Sequence, residues 1–284
     1  MTEGRFRDTV MKEMRAHFPE FSVAEWQEVR SDPPMSKPFL IRGGCANWPA
    51  FRRLTFDYLR DHAGHVKVEV KRGHAAGERL VMTLREFLDY CETSNESVPF
   101  YLTDWRYRAV PQIREWMDPP EAFRSWFDHV PPAGRPGWSW VYIGPINSQS
   151  QLHLDVKKSS AWNAVFSGCK EWLIFPPDHR FSAELWRGER VPTPLQFEPS
   201  EAWKVVQYPG DLIYVPGEWA HSVVNKSPGV SFTENFVNDS NYETVKRAAE
   251  ASSDEDFLRI LGFVRAIHAR VSGRRIEPKA AAVS

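Results

Sequence analysis

The chain has 284 residues, 42% hydrophobic and 13% aromatic, which is enough to bury one large core with a helical extension. Its 36 basic and 37 acidic side chains nearly cancel, so no overall field would attract nucleic acid or an anionic membrane. Three cysteines without paired spacing argue against a disulfide framework or a zinc ribbon, and no segment resembles a signal peptide or a membrane span. We therefore expect a soluble, cytoplasmic protein.

The first half of the chain alternates helix and strand patterns. Residues 5–17 predict an amphipathic helix, and residues 38–42, 66–70 and 99–103 predict short strands. Thr55 is placed to cap a helix, and Thr83 with Glu86 forms a capping box before a second one. Residues 105–130 read as a mixture of helices and loops.

From Trp138 the texture changes to short apolar or alternating runs broken by Gly, Pro and Asn, which is typical of a β-sandwich or barrel. We expect residues 161–175 to form a hairpin that turns at Ser167-Gly168. Eight such strands suit a double-stranded β-helix, the cupin-like jelly roll. The fold class is therefore mainly β (α+β), with N-terminal α/β elements and a C-terminal helical extension.

Helix returns after Tyr242, with Ser253 as the expected cap of the last helix. Its apolar face is predicted from the helical spacing of Phe257, Ile260, Leu261, Val264, Ile267 and Val271. The residues after Gly273 are expected to fray. The sequence thus predicts a helical extension over 1–35, a catalytic domain over 36–240 and a helical C-terminal segment over 241–284.

His153 and Asp155 are two residues apart in QLHLDV, which reads as a strand, so both side chains should point to one face. His221 opens another apolar strand, which a closed jelly roll can place beside the first. A His-x-Asp pair alone is usually a structural hydrogen-bonded pair. Two imidazoles and one carboxylate on neighbouring strands, however, form the facial triad of non-haem iron(II) sites.

Polar residues in the apolar strands are candidates for binding an anion. Lys170 leads such a strand, and a lysine that points inward needs an anion, whereas one that points outward is simply solvated. Asn163, Thr233 and Asn235 interrupt other apolar strands, where an inward polar group needs a hydrogen-bond partner and an outward one does not.

Several segments together resemble the Jumonji-C (JmjC) oxygenases, most closely their lysyl-hydroxylase-like and cupin-like branch. They are PFYLTD, QLHLD, SSAWNAVFSGCKEWLIFP, YPGDLIYVPGEWAHSVVN and VSFTENF, within residues 36–238. The resemblance implies that His153, Asp155 and His221 bind Fe(II), and that Lys170, Thr233 and Tyr101 bind the distal carboxylate of 2-oxoglutarate. It also implies that Asn163 and Asn235 line the pocket near the metal. Ser150, which stands where relatives often have threonine, is counted with these cofactor-binding residues.

The function that this resemblance implies is hydroxylation of an unactivated C–H bond with Fe(II), 2-oxoglutarate and O2, giving succinate and CO2. The substrate would be a protein side chain, a peptide or an amino-acid-like small molecule. Alternatives are a non-oxidative cupin-type metal-binding protein or isomerase, a decayed jelly-roll interaction module, an N-methyl demethylase and a tRNA-base hydroxylase. His-x-Asp rather than His-x-Glu favours hydroxylation over demethylation. Through its C-terminal helix the chain is also expected to form a homodimer.

Overall fold

The computed structural model describes residues 17–72, 77–191 and 195–273. The described strands are β1 Glu20–Ser22, β2 Phe39–Arg42, β3 Lys67–Arg72, β4 Glu78–Thr83, β5 Leu102–Trp105, β6 Ser139–Gly144, β7 Gln149–His153, β8 Ser160–Val165, β9 Lys170–Phe175, β10 Trp203–Gln207, β11 Leu212–Val215, β12 Ala220–Asn225 and β13 Gly229–Phe236. The described α-helices are α1 Val23–Val29, α2 Pro49–Arg53, α3 Phe56–Ala63, α4 Leu84–Thr93, α5 Arg180–Trp186, α6 Tyr242–Ala251 and α7 Glu255–Val271. Most of the helix predicted at residues 5–17 and all of the tail after Gly273 fall outside these ranges.

Two facing sheets confirm the predicted jelly roll. The larger has the strand order β1-β2-β11-β8-β13-β6-β5, and the smaller has the order β10-β9-β12-β7. Apolar side chains such as Trp172, Ile213 and Val223 form a core cluster that both sheets share. A second, larger cluster that includes Trp162 and Phe232 joins the large sheet to the N-terminal elements.

The N-terminal elements follow the sequence signals closely. Thr55 Oγ1 accepts a hydrogen bond from the Tyr58 amide at the start of α3, and Thr83 and Glu86 cap α4 reciprocally. The strand predicted at 99–103 is displaced and begins at Leu102. In the described part of the predicted 1–35 extension, β1 pairs in parallel with β2 and so joins the large sheet. No described helix is both long and apolar enough to span a membrane.

The predicted hairpin over residues 161–175 is wrong, because β8 and β9 do not pair. β8 lies between β11 and β13 in the large sheet, whereas β9 lies between β10 and β12 in the small one. The turn at Gly168, whose φ is +73°, packs so tightly on the Pro228–Gly229 turn that a Cβ there would lie 2.5 Å from the Pro228 carbonyl oxygen. The chain therefore crosses between the sheets at this turn.

The C-terminal segment is helical, as predicted, and consists of the two helices α6 and α7. Asp254 caps α7, and Ser253, which we expected at that position, has φ of +52° instead. Phe257, Leu261 and Val264 are buried in a cluster with the 126–130 segment and α6. Ile260 and Val271 were predicted on the same face but are exposed, because the helix docks through a narrower stripe. Phe263 is exposed as well, at 61% of its surface.

Candidate metal centre and its pocket

His153, Asp155 and His221 converge where β7 meets β12. The two strands pair antiparallel with His221 opposite His153, and the imidazole centroids are 4.4 Å apart. Asp155 lies two residues past His153, beyond the end of β7, and its Oδ1 is 3.9 Å from His153 Nε2. One potential ligand atom from each residue lies within 4.8 Å of the others. The structure therefore brings the three predicted ligands together.

Backbone carbonyls fix the orientation of both imidazoles. His153 Nδ1 is 2.7 Å from the Gln151 carbonyl oxygen, and His221 Nδ1 is 3.1 Å from the Trp219 carbonyl oxygen. Because a carbonyl can only accept, each Nδ1 carries the proton in the neutral ring and each Nε2 keeps a lone pair for a metal. Burial, and next the neighbouring His153, lower the pKa of His221 to about 4, so this ring is neutral near pH 7.

The donor set fits a divalent transition metal. Asp155 Oδ2 is buried and has no hydrogen-bond partner among the described residues. A buried carboxylate oxygen without a partner is costly unless a cation occupies the site. Two neutral imidazoles and one carboxylate are the ligands of the facial triad that binds non-haem iron(II). These residues could therefore hold iron(II).

Lys170 places a cation in the same pocket. Its side chain is buried, and its Nζ is 2.8 Å from Asn225 Oδ1 and 3.1 Å from Tyr101 Oη. Burial lowers the pKa of Lys170 to about 7, because the charged form is poorly solvated there. Burial likewise raises the pKa of Tyr101, so the phenol stays protonated. A bound carboxylate would supply the negative charge that Lys170 requires.

The three predicted metal ligands and Lys170 line one pocket. Four of the other predicted residues, Tyr101, Ser150, Asn163 and Thr233, also line it. Asn163 Nδ2 donates to Thr233 Oγ1 at 2.7 Å, while Asn163 Oδ1 is buried without a partner among the described residues. Asn163 therefore has a buried acceptor that no described residue uses.

Asn235 takes a different position from the other predicted residues. It is not among the described side chains that line the pocket. Its Nδ2 donates to Ser159 Oγ at 3.1 Å, and Ser159 lies four residues after Asp155 in the chain. The structure therefore places Asn235 behind the loop that carries the Asp155 carboxylate.

Sequence reasoning missed two residues of this site. Asn225 accepts from Lys170 and donates through Nδ2 to Ser148 Oγ at 2.7 Å. It lies four residues after His221 on β12, so the two-residue strand period would have placed both on one face. Tyr142 lines the pocket from β6. Burial is the main cause of its raised pKa, and nearby Asp104 is the next largest.

Comparison with known families decides the classification. The family described as "Cupin-like domain" matches residues 27–183, more than half of the chain. This chain belongs to the cupin-like family. The description "JmjC domain, hydroxylase" matches residues 140–236, which include the triad, Lys170 and Thr233. The cupin-like assignment agrees with the jelly roll of the two facing sheets.

JmjC oxygenases are among the proteins similar to this chain. Arginine-specific demethylase JMJ22 of Arabidopsis thaliana is 30% identical over 226 residues, covering 72% of this chain and 43% of that protein. The bifunctional arginine demethylase and lysyl-hydroxylase psr-1 of Caenorhabditis elegans is 24% identical over 265 residues, covering 84% of this chain and 64% of that protein. The 2-oxoglutarate and iron-dependent oxygenase JMJD4 of Homo sapiens is 26% identical over 219 residues, covering 69% of this chain and 52% of that protein. This cupin-like chain thus spans less than two thirds of each relative.

Proposed function

We propose that this chain is an iron(II)- and 2-oxoglutarate-dependent oxygenase that hydroxylates an unactivated C–H bond, with succinate and CO2 as coproducts. One observation carries the proposal: the three predicted metal ligands and the buried amine of Lys170 share a single pocket. A 2-oxo diacid needs both, because one end chelates a metal while the other carboxylate needs a positive partner. Bound iron(II) and 2-oxoglutarate would supply the oxygen-activating chemistry.

The protein's own side chains hold and orient the reactants. His153, Asp155 and His221 would hold the metal, and the two backbone carbonyls keep both Nε2 atoms available to it. Lys170 and Tyr101 would bind the distal carboxylate of the cosubstrate by charge-assisted hydrogen bonds. The unused Asn163 Oδ1 can accept a hydrogen bond from a donor group of a bound molecule.

The proposed substrate is a protein side chain, a peptide or an amino-acid-like small molecule. The names of the relatives include lysyl hydroxylation and arginine demethylation, both of which modify protein side chains. A formal net charge of −1 favours such substrates over a nucleic acid. We also propose a cytoplasmic location, which the absence of paired cysteine spacing supports.

The decisive test of hydroxylation is the product of a turnover with candidate peptides. The proposal predicts succinate together with a peptide that is 16 Da heavier, a mass that follows from adding one oxygen atom. Formaldehyde with loss of a methyl group would instead identify a demethylase. Substrate conversion without any consumption of 2-oxoglutarate would identify a non-oxidative cupin.

We further propose that the chain forms a homodimer through α7. Ile260, Phe263 and Val271 are exposed large apolar side chains at helical spacing. Light scattering after size exclusion should give twice the 32.8 kDa chain mass, and Phe263→Asp should give the single-chain mass. A monomeric wild-type protein would contradict this proposal.

A further inference from the structure

The loop that carries Asp155 has a backbone conformation that its own residues disfavour. Lys157 (φ 53°, ψ 21°) and Lys158 (φ 55°) follow each other in the left-handed region. Residues with a Cβ are strained there and stay in place only where their surroundings hold them. The loop's own hydrogen bonds, such as Lys158 N to the Asp155 carbonyl oxygen at 2.9 Å, hold part of this conformation, and contacts with other elements add to them.

Three of these contacts come from the jelly roll and its neighbours. The Lys158 carbonyl oxygen lies so close to Gly217 that a Cβ on that glycine would be 1.9 Å away. Lys158 Nζ donates to the Leu185 carbonyl oxygen at 3.2 Å, and Ser159 Oγ accepts from Asn235 Nδ2 at 3.1 Å. These contacts fix the part of the loop that follows Lys157.

Lys157 itself is fixed from the C-terminal helices. Its ammonium group forms an ion pair with Asp254 Oδ2 and lies 5.2 Å from the ring centre of Phe257. Asp254 Oδ1 accepts from the Phe257 amide at 3.1 Å as the N-cap of α7. One carboxylate therefore joins the start of α7 to a residue two positions from Asp155.

We propose that Asp254 is a positioning residue for the metal ligand Asp155. Through Lys157, it holds the strained loop in the conformation that presents the Asp155 carboxylate to the two histidines. The affinity of the triad for its metal then depends on α7 being docked. This inference rests on the proposed function, because it assumes that the triad binds a metal.

The test is a titration of the metal-free protein with cobalt(II), followed by its visible absorption. Asp254→Asn keeps an acceptor for the helix cap but removes the charge that Lys157 needs. We expect it to bind cobalt(II) about tenfold more weakly, the lower end of the effect of altering residues behind a metal ligand. Asp256→Asn is the matched control, because it removes one charge from the same first helical turn at an exposed position.

Substitution of the partner completes the test. Lys157→Met should weaken cobalt(II) binding as much as Asp254→Asn, and the double variant should lose no more than either single one. Lys157→Arg keeps the ion pair and should bind as the wild type does. Circular dichroism establishes that each variant remains folded.

Two results would overturn the positioning role. One is wild-type cobalt(II) affinity in folded Asp254→Asn, and the other is equal loss in the Asp256→Asn control. Failure of the proposed function has a different signature. A wild-type protein whose cobalt(II) binding does not change on His221→Ala would contradict the metal site itself.

Discussion

Lys170 Nζ and Tyr101 Oη are 3.1 Å apart, in the same pocket that holds His153, Asp155 and His221. The lysine comes from β9 in the small sheet, whereas the tyrosine precedes β5 at the edge of the large sheet. Closure of the jelly roll therefore creates this pair. The described hydrogen-bond partners of this buried amine are neutral, so a bound anion would stabilise its charged form.

Asp155→Ala should abolish metal-dependent succinate formation without destabilising the metal-free protein. The substitution removes a metal ligand, but it also removes a buried oxygen that has no hydrogen-bond partner among the described residues. Succinate assays and thermal unfolding of the metal-free protein measure the two effects. Asp57→Ala, at a side chain 90% exposed, is the control. Succinate formation by Asp155→Ala at the wild-type rate would exclude this carboxylate as a ligand.

Lys170→Met should raise the KM for 2-oxoglutarate about 10- to 150-fold, because losing a charge-assisted hydrogen bond costs about 1.5–3 kcal/mol. Metal affinity should stay the same, since Lys170 is not one of the three converging metal-ligand candidates. Steady-state kinetics and cobalt(II) titration separate the two quantities. Lys204→Met on the adjacent strand, at a side chain 64% exposed, should leave both unchanged. A KM unchanged in Lys170→Met would place the cosubstrate elsewhere.

Binding of 2-oxoglutarate should take up a proton above pH 7. The pKa of Lys170 is about 7 in the free protein, so the amine is largely neutral at pH 8, and a bound carboxylate raises that pKa. Affinity should therefore fall as the pH rises above about 7. Calorimetry at pH 8 in buffers of different ionisation enthalpy measures the uptake, which Lys170→Met should abolish. Equal apparent enthalpies in all buffers would contradict the assignment.

The same shift predicts how stability depends on pH. Between pH 7 and the ordinary lysine value of 10.5, the unfolded chain holds a proton on Lys170 that the folded chain lacks. The free energy of unfolding of the ligand-free protein should therefore increase as the pH rises through this window, because the folded state binds fewer protons there. Denaturant unfolding of wild type and Lys170→Met at pH 7 and 9 isolates it: the difference between the two proteins should change with pH, and a constant difference would contradict the shift.

Asn225→Asp should weaken 2-oxoglutarate binding while leaving the metal site intact. A carboxylate at this position would pair with Lys170 Nζ, which is 2.8 Å from the present amide oxygen, and would compete with the cosubstrate. Isothermal titration with 2-oxoglutarate measures the effect. Asn241→Asp, at another buried asparagine outside the pocket lining, controls for a buried charge. Binding as tight as in the wild type would show that Lys170 does not engage the diacid.

The sequence predicted much of the fold because its signals are local. Thr83 and Glu86 act within one helical turn, and QLHLDV with HSVVN carries its chemistry on adjacent strands. The separation of β8 and β9 into different sheets was not predictable in this way. The turn at Gly168 looks the same in a hairpin and in a crossover, and its packing against Pro228 comes from a distant part of the chain.

The predicted site was incomplete for a similar reason. The two-residue strand period could have predicted Asn225. Tyr142, in contrast, enters the pocket because β6 pairs with β13. Asp254 meets Lys157 across 97 positions of sequence, so no local pattern reveals the pair. The roles of side chains that act through tertiary contacts can be recognised only in the folded structure.

The most direct test of the account is the visible spectrum of the protein with iron(II) under anaerobic conditions, before and after addition of 2-oxoglutarate. Chelation of iron(II) by the 2-oxo acid produces a metal-to-ligand charge-transfer band and needs no prime substrate. The account predicts this band in the wild type, its absence in Asp155→Ala, and a higher 2-oxoglutarate requirement for it in Lys170→Met. Iron(II) binding by the wild type with no new band on addition of 2-oxoglutarate would contradict the oxygenase assignment and favour a non-oxidative cupin.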